Sequence, residues 1–176
     1  NMEIFMYQLL LLALILSGAF FLSSLFKRRI ERSIPTWIFM IIIVLYIFGL
    51  LGKLLIGIYA VMALGALGLI YTAFSIVKDK KQTLQNILTP GLVVFVLLFI
   101  LSWWAQKGRV FIYCDEFSHW GLTVKNMCML DALANHPEST VVFRSYPPGT
   151  ALLQYLFTRL SGVFTEGYVF QAMNMI

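Results

Sequence analysis

The stretch LLIGIYAVMALGALGLIYTAFSIV, from Leu54 to Val77, carries no charged side chain. As a helix rising 1.5 Å per residue it covers about 36 Å, more than the roughly 30 Å hydrocarbon core of a bilayer. Its apolar residues run on without the two-residue alternation of a strand. A bilayer also admits only backbone that satisfies its own hydrogen bonds. The stretch therefore reads as a membrane-crossing helix. Gly57, Gly65 and Gly68, with Ala60, Ala63 and Ala66 between them, give it small positions where neighbouring helices can approach closely.

Working outward, Ile4 to Phe26, Ile34 to Leu51 and Ile87 to Ala105 are runs of the same kind, each about 18 to 23 residues long. Pro35 and Pro90 fall near the starts of two of them, where a missing N–H is harmless. The first run lacks a basic leader and is followed by Lys27, Arg28 and Arg29, not by a small-residue cleavage site. It is expected to be a retained span rather than a signal peptide. Apolar residues make up 60% of the chain and charged residues 12%, with a mean hydropathy of +0.86. Soluble domains lie near about 45–50% and about 25%, so this composition indicates an integral membrane protein.

The net charge of +5 does not mark a nucleic-acid partner. Lys27, Arg28, Arg29 and Arg32 form one cluster between apolar runs, and Lys78, Lys80 and Lys81 form another, as the positive-inside rule expects of cytoplasmic loops. That places the amino terminus outside, with Trp103 and Trp104 at the exit of the fourth span. Thr150 to Val163 is expected to be a fifth span with Arg159 reaching the cytoplasmic face, and a sixth begins at Tyr168. The expected fold is an all-α polytopic transmembrane helix bundle with an interfacial amphipathic helix in an extracytoplasmic loop. Residues 1–105 hold four transmembrane helices, and residues 106–148 hold the extracytoplasmic loop. Residues 149–176 hold the fifth helix and the start of a sixth, as in a fragment of a longer protein.

One polar run interrupts this pattern: Tyr113-Cys114-Asp115-Glu116-Phe117-Ser118-His119-Trp120-Gly121. Carboxylates beside a bilayer are costly and mark work to be done. Phe117, Trp120, Val124, Met127 and Cys128 recur at helical spacing, which predicts an amphipathic helix over 117–135 lying in the membrane interface. Asp115 and Glu116 stand at its start. Asp115 suits an N-cap, and capping explains one acid. A general base or a divalent-metal ligand is the alternative for the pair. His119, one turn beyond Asp115, suits orienting a carboxylate or ligating a metal. No zinc spacing is present, so an oxygen-held Mg²⁺ or Mn²⁺ at Glu116 is the more plausible ion. Cys114 and Cys128 are read as free thiols, with a single bridge as the alternative.

Tyr146-Pro147-Pro148-Gly149 closes the loop as a stiff turn. It can hold Tyr146 and Arg144 over a cavity mouth, where Arg144 either grips a phosphate or pairs with Glu138. An acidic pair after a span, an interfacial helix and a Tyr-Pro-Pro-Gly turn together resemble the GT-C superfamily of polytopic glycosyltransferases. The resemblance covers roughly residues 105–165. It implies transfer of a sugar from a polyprenyl-phosphate donor to an extracytoplasmic acceptor, in a multi-pass protein of the bacterial inner (plasma) membrane. Asp115 and Glu116 would be catalytic and His119, Arg144 and Tyr146 substrate-binding, with membrane lipid and an unknown acceptor as partners. The competing readings are a transporter or flippase component using Asp115 and Glu116 for cation or proton coupling, and a non-catalytic membrane scaffold.

Overall fold

The computed structural model describes residues 2–176. The element order is α1 (Met2–Phe26), α2 (Ile30–Leu50), α3 (Leu54–Lys78), α4 (Lys80–Ile87), α5 (Pro90–Gln106), α6 (Cys114–Ser118), α7 (Trp120–Leu130), α8 (Gly149–Arg159) and α9 (Glu166–Met173). Among the described residues there is no strand. Three helices, Glu3–Phe26, Ile30–Leu50 and Leu54–Lys78, are long and apolar enough to cross a membrane. A fourth crossing is present if α4 and α5, bent by 42° at their junction, count as one span. The chain forms two compact units, one running up to Ile41 and over Ala60–Leu101, the other over Ile42–Tyr59 and Ser102–Ile176.

In the first unit, glycines set the helix spacing. The indole of Trp37, 2% exposed, lies directly over Gly18, where an added Cβ would meet its ring carbons at 2.0 Å. The same indole donates from Nε1 to the Leu14 carbonyl at 3.0 Å, so α2 is fixed to α1 by both shape and a hydrogen bond. On the other side of α1, Gly65 and Gly68 of α3 accept Ser17 and Phe21 at distances that leave no room for a side chain. The small-residue face predicted for α3 is thus a packing face. The basic turn after α1 is ordered by Arg28, which donates to Ser33 at 3.2 Å and to Thr36 at 3.1 Å and lies over the Phe26 ring. Pro90 opens α5 as expected, with the Thr89 hydroxyl accepting from the Leu92 N–H at 3.3 Å.

The second unit gathers the tip of the α2–α3 hairpin with α6 to α9. Its core is Phe111, Val124, Val169 and Phe170, joined by Trp120, Cys128, Ala151 and Phe164. Phe111 anchors it, meeting Trp120 and Phe170 edge-on at 5.4 and 5.6 Å. Leu133 packs on Gly49 of α2, and the Asn174 side chain donates to Ser102 at 2.9 Å.

Three expectations change here. The helix predicted over 117–135 is two helices, broken at His119 (φ −132°, ψ −93°), and it ends at Leu130. Glycine accommodates the break. The Glu116 carbonyl and the Phe111 ring come so close to Gly121 that a Cβ there would collide with both. Of the face expected to pack, Val124 and Met127 are buried while Phe117 is 55% exposed. The run taken as a fifth span is helical only over Gly149–Arg159. Eleven residues reach about 16 Å, half a hydrocarbon core, so α8 is too short to cross alone. Nor does Arg159 reach away from the 106–148 segment. It binds Asp131 within it, at 2.7 and 3.0 Å.

Candidate functional site

The backbone leading into α6 is fixed by glutamates. Phe111 N–H donates to Glu166, and the N–H groups of Ile112 and Tyr113 both donate to Glu116 Oε2, at 2.5 and 3.0 Å. Tyr113 is the N-cap, so Glu116 at the third helical position carries the capping role that the sequence suggested for Asp115. Glu116 is 6% exposed and committed to these bonds. Asp115 points away into an exposed position and, among the described residues, its carboxylate has no partner. The adjacent acids therefore do different things. One is part of the fold, the other is free.

The break after α6 turns His119 out of the helical path. Its ring meets Tyr146 at 4.4 Å and Phe143 at 5.2 Å between centroids, both edge-on, and those two rings meet each other at 5.8 Å. The Nδ1 atom of His119 is buried and has no hydrogen-bond partner. The segment carrying Phe143 and Tyr146 is anchored upstream. The Asn126 Oδ1 accepts from the Thr140 N–H at 3.0 Å, and Val141 is 2% exposed. Arg144 folds back within the segment, donating to the carbonyls of Ser139 at 2.7 Å and Val141 at 3.3 Å. It makes no ion pair with Glu138.

These elements enclose a cavity of about 790 Å³. One wall is apolar, built by Ile42, Ile43 and Leu50 on α2. The rest of the lining mixes polar, aromatic and apolar side chains. It holds His119, Arg144 and Tyr146 from the sequence-predicted set, with Trp120, Phe143 and the start of α8 from Pro148 to Ala151. Asp115 and Glu116 are not among the lining residues. Sequence reasoning missed Tyr46, Asn135 and Gln154, which also line the cavity. Tyr46 had a visible signal, a polar-tipped ring near the end of an apolar run. Gln154 was hidden in a presumed span; it is 3% exposed and donates to the Val169 carbonyl at 3.4 Å.

Behind the cavity, α7 and α8 are joined by a polar cluster. Asp131, in left-handed backbone (φ 47°), accepts from Arg159 and, at 2.7 Å, from the Tyr155 hydroxyl. Burial opposes its charge, but the bonds from Arg159 and Tyr155 outweigh burial and hold the carboxyl below its ordinary value. Burial and the acceptor Asp131 hold the Tyr155 hydroxyl well above its own. Burial likewise pushes the Cys128 thiol up to about 11, while its sulfur lies 2.9 Å from the Thr158 hydroxyl. Both cysteines are free.

Glu116 Oε2 already accepts two N–H bonds, and no three His, Cys, Asp or Glu side chains converge among the described residues. Compared with known protein families, curated proteins and solved structures, the chain finds no match.

Proposed function

We propose that this chain is the membrane-embedded part of a glycosyltransferase that draws a sugar from a lipid-linked phosphate at the outer face of a bacterial inner membrane. The observation that carries the reading is the mixed lining of the cavity. Its apolar residues on α2 suit a lipid tail, and Arg144, His119 and Tyr146 in the same lining suit a head group. Arg144 uses two of its five N–H donors within its own segment, leaving the rest for phosphate. The start of α8 adds N–H groups with no side-chain cap, at the helix end that favours negative charge. Asp115, unpartnered and exposed, is the base in this reading, taking the proton of the acceptor hydroxyl. Glu116 is a positioning residue, and no step is assigned to Mg²⁺ or Mn²⁺.

The outer-face reading rests on the two basic clusters, Lys27–Arg32 and Lys78–Lys81, which the positive-inside rule assigns to the cytoplasm. A transporter reading has less support. Its discontinuous helices belong near the bilayer midplane, whereas the 42° bend here adjoins the Lys78–Lys81 cluster.

The test is saturable binding of farnesyl phosphate, a short polyprenyl phosphate, to the protein in nanodiscs. Arg144→Ala is expected to weaken binding about tenfold, the worth of one charge-assisted hydrogen bond. No saturable binding by the unaltered protein would overturn the proposal.

A further inference from the structure

His119 presents a puzzle that the fold does not resolve. A buried polar atom without a hydrogen bond is costly and rare in a folded protein. Yet Nδ1 of His119 is buried and unpartnered beside a cavity holding several hydrogen-bonding groups. The rings of Phe143 and Tyr146, which line the same cavity, pack edge-on against the imidazole.

Those rings belong to an exposed segment that few hydrogen bonds hold. Val142, Phe143 and Tyr146 are 76%, 54% and 60% exposed. The hydrogen bonds made by residues 142–146 reach no farther than residue 139: Tyr146 N–H donates to the Phe143 carbonyl, and Arg144 donates to the carbonyls of Ser139 and Val141. The fixed points lie at its ends. Thr140 is bonded to Asn126 and Val141 is buried, while Pro147 and Pro148 stiffen the entry to α8. Between these points the strap rests on the rest of the unit through its aromatic rings.

We propose that residues 142–146 are a ligand-displaced cover and that His119 is the group it uncovers, donating from Nδ1 to the phosphate of the bound lipid. The inference rests on the reading of the cavity as a lipid-phosphate site and adds to it a contact and its regulation. In the closed state the imidazole is shielded by two rings and its nitrogen has no partner. When the strap lifts, the nitrogen meets phosphate and Arg144, carried by the strap, can close over the same group.

The test reads histidine accessibility by diethylpyrocarbonate modification and mass spectrometry, with His136 in the same chain as the internal reference. In the free protein His119 should react at least about tenfold more slowly than His136. Phe143→Ala/Tyr146→Ala should bring the two within about threefold while leaving helix content unchanged. Equal rates in the unaltered protein would overturn the cover. Farnesyl phosphate titration then examines the contact: His119→Phe, which keeps the ring packing and removes the nitrogens, should weaken binding about tenfold. Unchanged affinity in that variant overturns the inference alone and leaves the lipid-phosphate site standing. No binding by the unaltered protein overturns the site, and the His119 contact with it.

Discussion

Arg159 holds Asp131 through two nitrogens, Nε at 2.7 Å and Nη2 at 3.0 Å, and so ties the end of α8 to the end of α7. The pair is partly exposed, with 31% and 28% of the two side chains accessible. Solvent therefore weakens it relative to a fully buried pair, though Tyr155 adds a third bond to the same carboxylate. Asp131→Ala should destabilise the protein by about 1–2 kcal/mol, because it leaves three donors with no acceptor. Thermal unfolding in detergent measures it.

The same carboxylate gives a pH dependence of known sign. Its pKa is held below the ordinary value in the folded protein, so the native state binds fewer protons there than the unfolded chain. The stabilisation is present in full above the unfolded carboxylate value, about 4, and disappears as pH falls through the lower folded value. Unfolding midpoints collected from pH 6 to pH 3 should show this acid limb, and Asp131→Asn should flatten it. An unchanged limb in the variant would assign the effect to another carboxylate.

The two cysteines should differ sharply in chemistry. Cys114 is exposed, whereas burial pushes the Cys128 thiol up to about 11. At pH 8 only about one Cys128 in a thousand is thiolate, the reactive form. Iodoacetamide should therefore alkylate Cys114 at least about tenfold faster, as peptide mass spectrometry would resolve. With an impermeant maleimide on intact cells, Cys114 also reports which side of the membrane α6 occupies. Labelling only after lysis would reverse the proposed orientation.

Two glycines make a controlled pair. At Gly121 an added Cβ would collide with the Glu116 carbonyl at 2.2 Å, backbone that cannot swing aside, while at Gly149 it meets nothing within 4 Å. Gly121→Ala should cost about 1–3 kcal/mol by overpacking the α6–α7 junction. Gly149→Ala, in the first turn of α8, should be neutral or stabilise by about 0.4–1 kcal/mol through the unfolded chain. Equal effects at the two positions would mean that the α6–α7 junction has room for a side chain at Gly121 after all.

What could be read in the sequence follows from how local each signal is. Helices α1 to α3 are long enough that composition alone identifies them, and the glycines of α3 pack where their spacing suggested. The region after Gln106 depends on contacts distant in sequence. Nothing within residues 114–121 announces that the Phe111 ring will close on Gly121 beside the break at His119. The apolar look of Thr150–Val163 concealed a short buried helix, although its 14 residues fall below the roughly 18 that a span needs. Arg159 was the clue, since its partner Asp131 lies 28 residues upstream. Three of the predicted site residues share a cavity because a loop and a helix break converge on it, and the acidic pair divides because only Glu116 is positioned to cap.

That division supplies the most discriminating prediction. Glu116→Gln keeps an acceptor oxygen but loses the charge that strengthens its bonds to the Ile112 and Tyr113 N–H groups, so stability should fall by about 1 kcal/mol. Asp115→Asn changes an exposed side chain that makes no bond, so the unfolding midpoint should stay where it was. In the proposed reaction the order reverses. Asp115→Asn removes the base, and transfer from a polyprenyl-phosphate sugar should fall by roughly 10² to 10⁴. Glu116→Gln should act only through the position of α6, with a smaller loss that shrinks on cooling as the fold is restored. Normal turnover in a well-folded Asp115→Asn protein would remove Asp115 as the base and leave the cavity, with His119 and Arg144, as the remaining ground for a lipid-phosphate site.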